Sequence, residues 1–479
     1  MARYQPSIGL EVHAELSTQT KIFCGCSTAV GGPPNTQVCA VCLGFPGVLP
    51  VLNRRVVDYG LRAALAMHCE IVRPSIFERK GYYYPDLPKN FQISQKRAPL
   101  GRNGYVEIGI NGSTKRVGIF DCHIEEDAAK LLHPEDDGQH SLVDFNRSGV
   151  PLLEIVSEPD MHSPAEVEAY MNAVRSMLRY LEISDCRMEQ GQLRFEASIS
   201  VCPERASELG TRVEVKNLNS FRAVMGAVEC EIRRQSQALD AGEELVQETR
   251  LWDDVRGVTA PMRTKETAMD YRYFPEPDLV PLAVDDEWIA QVRAELPELG
   301  EARRKRLIAE YELSDYDAGI LTDERVLADL FEATAGEGAA PKAVANWLTG
   351  EFLRLVKTGD VQAVDSKLEP KALAELIALV DKGTVSTSAA KRVFDKLFES
   401  GGSPGRIVEA LGLGQISDEQ ELGSVVATII EEHPDAVENF RKGKENALKF
   451  LVGQVMRKTK GRANPQLVND MLRERLGAE

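Results

Sequence analysis

The 479-residue sequence lacks several features that would place it quickly in a class of protein. No stretch approaches the roughly 18 consecutive apolar residues that a membrane-spanning helix requires, so no membrane association is expected. The first residues, MARYQPSIGLEVHAEL, do not combine a basic start with an apolar run. We therefore expect a cytoplasmic protein without a secretory signal.

Common short motifs of nucleotide and acyl-transfer chemistry are also missing. No G-x-x-x-x-G-K-[ST] loop occurs, so ATP would have to be bound by a device other than a P-loop. Neither a G-x-S-x-G elbow nor a Ser-x-x-x-Ser-Lys amidase pattern is present, which argues against a glutaminase in this chain.

The sequence has fewer basic than acidic residues: it contains 57 Lys and Arg and 74 Asp and Glu, and its formal net charge is −17. An acidic surface repels a polyanion, so binding to RNA must depend on a local basic patch. Between residues 441 and 462 only Glu445 is acidic, whereas the basic residues include Lys442, Lys444, Lys449, Arg457, Lys458, Lys460 and Arg462. This segment predicts either a phosphate-binding surface or an ordinary solvated helix face.

Four of the nine cysteines form two close pairs, Cys24 with Cys26 and Cys39 with Cys42. Cysteines of a cytosolic protein are expected to be thiols or metal ligands. Paired spacing of this kind is typical of a closed tetrahedral zinc site, which stabilises a loop and leaves no open position for catalysis. We favour structural Zn²⁺ over four unrelated thiols.

The chain predicts an α+β fold in three parts. Strictly alternating segments such as IGLEVHAEL and QLRFEASISV indicate half-buried strands of a largely antiparallel sheet within residues 1–293. SPAEVEAYMNAVRSMLRYL predicts a helix capped by Ser163. Helical periodicity then fills residues 294–415, a helical domain, and residues 416–479, a smaller helical tail.

Acidic side chains recur on the polar faces of these strands, at Glu11, Glu125, Glu126, Glu154, Glu196 and Glu214, with His13 beside Glu11. Carboxylates that face inward from several strands repel one another unless a cation compensates them, and oxygen-rich sites of this kind suit Mg²⁺. A solvated polar face explains the same pattern, and the pattern alone does not decide between them. Lys80, Lys89, Arg194 and Lys216 are candidates for neutralising nucleotide phosphates, although a solvated loop is the default for the segment FERKGYYYPDLPK.

Several long motifs are similar to those of the GatB family, in family order: IGLEVHAEL, YYYPDLPKNFQISQ, HIEEDAAK, DFNRSGVPLLEIVSEPD, VEVKNLNSF, DYRYFPEPDLVPL and NALKFLVGQVMRKTKGRANPQLVNDML. The resemblance covers nearly the whole chain. It implies a cradle domain, a helical domain and a tail similar to the YqeY protein. It also implies a heterotrimer with a glutaminase subunit, GatA, and a small subunit, GatC.

The reaction that the resemblance implies converts Glu-tRNA(Gln) or Asp-tRNA(Asn) to the amide with ATP, Mg²⁺ and ammonia from the glutaminase. Glu11, His13, Glu125 and Glu154 would be Mg²⁺ ligands or lie close to the ion. Glu126 would stand at the ammonia path as a gate or proton acceptor, with Lys80 and Lys89 near the phosphates or that path. The tail residues would bind tRNA(Gln) or tRNA(Asn). Zinc would be structural, since family members without the cysteines still function.

Two other functions compete with this one. The chain would be a non-catalytic scaffold that binds tRNA for its partners, or a metal-dependent ligase that acts on free amino acids. The family often has Arg-Cys-Asp-Ala-Asn where this chain has RFEAS from Arg194 to Ser198, so the role of Glu196 stays open.

Overall fold

The computed structural model describes residues 4–110, 112–133, 140–204, 206, 208–262, 271–359, 361, 363–414, 419–459 and 462–477. It divides into two compact units, Met1–Leu299 and Gly300–Glu479. The predicted division into three domains stays a prediction, and its second boundary, near residue 416, lies outside the described residues.

The first unit contains the strands. In chain order they are β1 (Tyr4–Glu15), β2 (Glu70–Ile71), β3 (Glu78–Gly81), β4 (Phe91–Ser94), β5 (Gly101–Ile110), β6 (Ser113–Glu126), β7 (Lys130–Leu132), β8 (Leu142–Asp144), β9 (Pro151–Ser157), β10 (Leu193–Pro203), β11 (Val213–Leu218), β12 (Glu248–Asp253), β13 (Val258–Pro261) and β14 (Phe274–Pro275). Its helices are α1 (Arg54–Ala66), α2 (Pro164–Tyr180), α3 (Phe221–Asp240) and α4 (Asp286–Ala294).

Nine of these strands form one sheet in the order β13-β12-β11-β10-β1-β9-β6-β5-β2. Only the β11–β12 pair of this sheet is parallel, among the strands described, so the predicted, largely antiparallel α+β fold is confirmed. A three-stranded sheet, β14-β3-β4, and the β7–β8 hairpin complete the strands of the unit.

Alternation along the central strands separates the two faces of the large sheet. In β1, Ile8, Leu10, Val12 and Ala14 are at most 1% exposed, as period-two patterning predicts. They join a single apolar core with buried residues of α1, α2 and α3. Helix α2 begins as predicted, because the Ser163 side chain accepts a hydrogen bond from the Glu166 amide and Pro164 occupies the first turn. The opposite face of the sheet is left for the polar side chains.

The second unit is helical throughout its described part. Its α-helices are α5 (Gly300–Tyr311), α6 (Asp315–Leu321), α7 (Arg325–Gly336), α8 (Pro341–Trp347), α9 (Leu353–Gly359), α10 (Pro370–Asp381), α11 (Thr387–Ser400), α12 (Pro404–Leu411), α13 (Glu419–Glu432), α14 (Pro434–Arg441), α15 (Glu445–Lys458) and α16 (Pro465–Gly477). A π-helical turn, Leu348–Phe352, joins α8 to α9. Buried apolar side chains form two separate clusters, one up to Leu413 and one from Leu422 onward.

Candidate active site

Polar side chains of three adjacent strands meet at the centre of the large sheet. His13 of β1 lies opposite Glu154 of β9, and Glu154 lies opposite His123 of β6. Glu125 follows His123 by two residues and therefore points to the same face of the sheet. The strand register thus brings two carboxylates and two imidazoles together.

The distances define a compact cluster. The His13 Nε2 atom lies 3.2 Å from Glu154 Oε2 and 3.8 Å from Glu125 Oε1. Ligand atoms of His13, Glu125 and Glu154 all lie within 4.8 Å of one another. Two carboxylates and one imidazole at this spacing form a donor set that a divalent cation can bind. We call these three residues the metal cluster.

Electrostatics of the metal cluster favour a cation. Burial raises the pKa of Glu125, and the charge of Glu154 raises it further. Burial alone would lower the pKa of His13, but Glu154 outweighs it and raises that pKa to about 9. Burial opposes ionisation of Glu154 too, yet His123 and His13 hold its pKa well below the ordinary value. The two carboxylates therefore share the positive charge that the histidines and Lys80 supply.

The predicted magnesium ligands do not all meet in one place. Ligand atoms of Glu11 cluster instead with those of Glu196 and Glu214. Burial, Glu154 and these two neighbours raise the pKa of Glu11 to about 7. Lys216 counters them, with its Nζ atom 2.5 Å from Glu196 and 2.9 Å from Glu214. Lys216 is therefore the counter-ion of this acidic group, whereas His13, His123 and Lys80 supply positive charge to the carboxylates of the metal cluster.

Lys89 reaches Glu126 because the small sheet contacts the end of β6. The Ile93 amide of β4 donates 2.8 Å to Glu126 Oε1, and the Gln92 side chain donates 2.7 Å to the Glu126 carbonyl. The same Oε1 atom accepts a hydrogen bond from Lys89 Nζ. Glu126 is 4% exposed, so this is a buried charge pair at one wall of a cavity of about 190 Å³.

Lys80 lies on β3 of the same small sheet and faces the metal cluster. Burial on its own would lower the pKa of its ammonium, but Glu125, with Glu154 and two tyrosines, raises it. The Nζ atom also lies 5.3 Å from the ring centre of Tyr271. Lys80 is therefore a fixed positive charge beside the carboxylates.

Arg194 is held by a buried acid that the sequence interpretation did not include. Its Nη2 atom donates 3.0 Å to Asp127 Oδ1, while Arg147 Nη2 donates 2.6 Å to Asp127 Oδ2. Arg194 lies opposite His13 across β1 and β10. Its side chain is 41% exposed and keeps donors for an anion next to the metal cluster.

The sequence interpretation also missed His123 and Asp121. His123 stands two residues before Glu125, so the alternation that places Glu125 on the polar face places His123 there as well. That periodicity was the available signal. Asp121 precedes His123 by two residues and extends the same row.

Comparisons with known proteins decide the family. A model described as the GatB/GatE catalytic domain matches residues 6–290, and one described as the GatB domain matches residues 329–476. A relative from Caldanaerobacter subterraneus, named as the B subunit of an aspartyl/glutamyl-tRNA(Asn/Gln) amidotransferase, is 55% identical over 99% of both chains. Relatives of the same name from Moorella thermoacetica and Brevibacillus brevis are 53% and 51% identical, over 99% and 100% of this chain and 100% of their own. The chain belongs to the GatB family.

Membership confirms the family inferred from the sequence motifs, and the model matches cover the metal cluster and the tail of this GatB chain. The roles assigned to individual residues stay predictions. In the part of the chain that the structure describes, no helix combines the length and apolar character needed to cross a membrane.

The cysteines of this GatB chain converge as their spacing predicted. The Sγ atoms of Cys24, Cys26, Cys39 and Cys42 lie within 4.8 Å of one another, and Cys42 Sγ is 4.0 Å from Cys39 Sγ. Zn–S bonds of about 2.3 Å in a tetrahedron separate sulfurs by roughly 3.8 Å, so the four thiols fit zinc.

A buried cation supports the zinc fit. Lys21 is 0% exposed, and its Nζ atom lies 3.6 Å from Cys42 Sγ and 3.3 Å from the Phe145 carbonyl. A hydrogen bond from Cys24, with help from the Cys39 backbone and Lys21, lowers the pKa of Cys42 to about 4 against the effect of burial. Four thiolates around Zn²⁺ carry a net negative charge, and Lys21 is placed to offset part of it.

We expect the purified chain to contain about one zinc ion, and Cys39→Ser to lose it because three thiolates bind zinc much more weakly than four. Elemental analysis measures zinc per chain, and thermal unfolding measures the accompanying loss of stability. Cys230→Ser, a thiol on α3 outside the cluster, is the matched control. Full zinc content in the Cys39 variant would refute the site.

The predicted basic residues of the tail lie around α14, α15 and the start of α16. Lys442, Lys444, Lys449, Arg457, Lys458 and Arg462 are exposed, and Lys460 lies outside the described residues. Lys442 pairs with Glu438 at 2.5 Å and Lys458 with Glu432 at 2.7 Å. Lys449 and Arg457 lie on the surface of α15 and present their charge to solvent. Intramolecular pairs thus reduce the local basic excess.

Proposed function

We propose that the chain performs the carboxylate activation and amidation of a tRNA-dependent amidotransferase, acting on Glu-tRNA(Gln), Asp-tRNA(Asn) or both. A carboxylate does not accept ammonia directly, because oxide would have to leave. Phosphorylation of the side-chain carboxylate by ATP gives an acyl phosphate, from which ammonia displaces phosphate. The metal cluster is the single observation on which this proposal depends.

His13, Glu125 and Glu154 would hold the Mg²⁺ ion, with Glu11 close by. When bound, the ion neutralises negative charge on the phosphoryl group in transfer. The chain's own residues provide the rest of the electrostatics. Lys80 offers a positive charge that does not need to move, and Arg194 offers guanidinium donors to a phosphate oxygen. Lys216 is bound to Glu196 and Glu214 and adds a further positive charge to this polar face.

Glu126 and Lys89 are proposed to serve the ammonia step. Their charge pair is buried at the wall of the 190 Å³ cavity, which we take as the ammonia path. Glu126 is placed to act either as the acceptor for the proton that ammonia loses on attack or as a gate. Lys89 is the ion-pair partner of Glu126 in this buried setting.

A partner subunit must supply that ammonia, since the sequence carries no glutaminase motif. We propose a GatA-type glutaminase and a small GatC-type subunit as partners in a heterotrimer. Exposed apolar side chains occur in the segment between Cys42 and α1, where Phe45 is 57%, Leu49 63% and Val51 73% exposed. Phe45 also lines the Glu126 cavity, so a subunit that covers this apolar surface would lie next to the proposed ammonia path.

Reconstitution of the three subunits tests the proposal. We expect ATP- and glutamine-dependent amidation of at least one of the two misacylated tRNAs, and none when this chain is omitted. Activity on free glutamate or aspartate without tRNA would support a free amino acid ligase instead. Amidation in a reaction that lacks this chain would exclude a catalytic role for it and leave the role of a tRNA-binding scaffold.

The tail is proposed to bind the tRNA backbone. We expect Lys449→Ala with Arg457→Ala to weaken tRNA binding and to reduce the slope of log K against log salt by about one for each phosphate that is no longer bound. Binding titrations at several salt concentrations measure both quantities. Lys305→Ala, an exposed change on α5, is the control. An unaltered slope in the double variant would remove these residues from the tRNA-binding surface.

A further inference from the structure

Behind the metal cluster lies a buried pair that the proposed function does not use. Asp121 and His123 are 4% and 6% exposed on β6. The Nδ1 atom of His123 lies 2.9 Å from Asp121 Oδ1, and its Nε2 atom lies 3.2 Å from Glu154 Oε2. One ring therefore joins a buried carboxylate to a carboxylate of the metal cluster.

Glu154 is contacted from both neighbouring strands at the same oxygen. His13 Nε2 approaches Oε2 from β1 at 3.2 Å, and His123 Nε2 approaches it from β6 at the same distance. His123 is 4.0 Å from Glu125, so its contact with Glu154 is the closer one. Asp121 accepts from Nδ1 and thereby turns Nε2 toward Glu154, which fixes the ring in one orientation.

A buried histidine has two ring nitrogens to satisfy, so the identity of its two partners, and not their number, indicates its role. Here the chain of contacts runs from Asp121 through His123 to Glu154 and ends at a residue of the metal cluster. Carboxylate–histidine pairs that orient a metal ligand are typical outer partners of metal sites, and removing one costs roughly 10–100-fold in metal affinity.

We propose that Asp121 and His123 are positioning residues that fix the Glu154 carboxylate for a divalent cation. His123 donates to Oε2 and restricts rotation of the carboxylate, while Asp121 restricts the ring. This inference rests on the proposed metal site, and it assigns the residues no contact with substrate or ion.

Manganese binding to the full-length chain tests the inference, with Mn²⁺ as the probe and the free ion measured by its electron paramagnetic resonance signal. We expect His123→Leu to weaken binding by about 10–100-fold. His123→Gln places an amide N–H near the Nε2 position and should recover part of that loss. Asp121→Asn should weaken binding by less than His123→Leu. His162→Gln, an exposed ring that contacts the Pro6 carbonyl, is the control.

The outcomes separate the inference from the function on which it rests. If the wild-type protein binds Mn²⁺ and His123→Leu binds it with the same affinity, the positioning role alone is overturned. Equal losses in the Leu and Gln variants overturn it as well, because they indicate a packing effect; thermal unfolding of both variants checks for that effect independently. If the wild-type chain binds Mn²⁺ but Glu154→Gln binds it equally well, the metal site lies elsewhere, and both claims fail.

Discussion

Glu154→Gln in the assembled complex is expected to lower ATP-dependent amidation by at least about 100-fold, while glutamine hydrolysis and tRNA binding stay within about twofold. The change keeps the size of the side chain and removes the charge that lies between His13 and His123. Because the glutaminase is proposed to reside on a partner and the tRNA surface on the tail, only the activation step should fail. Three assays on one preparation measure amidation, hydrolysis and tRNA affinity.

Glu168→Gln is the matched control, since this glutamate is exposed on α2 and away from the polar face of the sheet. Parallel loss of all three activities in the Glu154 variant would indicate misfolding, which a thermal unfolding comparison would reveal. Unchanged amidation in a folded Glu154 variant would refute the enzymatic function and leave the scaffold role.

Glu126→Gln is expected to lower glutamine-dependent amidation by roughly 100-fold, the scale on which a positioned acid or base contributes. The amide can still accept a hydrogen bond from the Ile93 amide, so the local structure should survive. The change removes the negative charge that Lys89 neutralises and with it the capacity to accept a proton. Rates of amidation with glutamine, and with ammonium salt supplied in its place, provide the measurement.

The two nitrogen sources separate the two roles left open for Glu126. A proton acceptor is needed for ammonia from either source, so both rates should fall. A gate restricts only ammonia that travels from the partner subunit, so ammonium salt should restore the rate. Glu107→Gln, which breaks the ion pair between Glu107 on β5 and Arg116 on β6, is the control. Equal activity of wild type and Glu126→Gln with both sources would exclude either role.

Local patterns in the sequence predicted much of the fold. Period-two alternation can be read from a single strand, and every second residue from Ile8 to Ala14 and from Leu193 to Val201 is buried as the sequence predicted. The Ser163 cap is equally local. The convergence of the cysteine pairs followed from short spacing that leaves few ways to arrange four thiols.

The grouping of the acidic residues depends on strand register, which the sequence does not specify. The family resemblance implied that Glu11 and His13, which share one face of β1, bind the ion or lie close to it. In the structure His13 lies opposite Glu154 of β9, whereas Glu11 lies opposite Glu196 of β10. Which residues stand opposite each other depends on partners far along the chain, so the division of the acids into two groups has no local signal.

The contact of Lys89 with Glu126 is non-local for another reason. It depends on β4 of the small sheet lying against the end of β6. Neither strand carries a pattern that specifies this arrangement. His123 differs, because its position two residues before Glu125 was sufficient to place it on the polar face.

The central claim is that side chains of three separate strands bind one divalent cation. Anomalous diffraction from crystals of the chain or its complex, grown with Mn²⁺ and a non-hydrolysable ATP analogue, tests it most directly. We predict a peak bonded to His13, Glu125 and Glu154, at roughly 2.0–2.3 Å from their ligand atoms, with analogue phosphate beside it. A cation between Glu11, Glu196 and Glu214 alone, or no peak at the polar face with the analogue bound, would contradict the account.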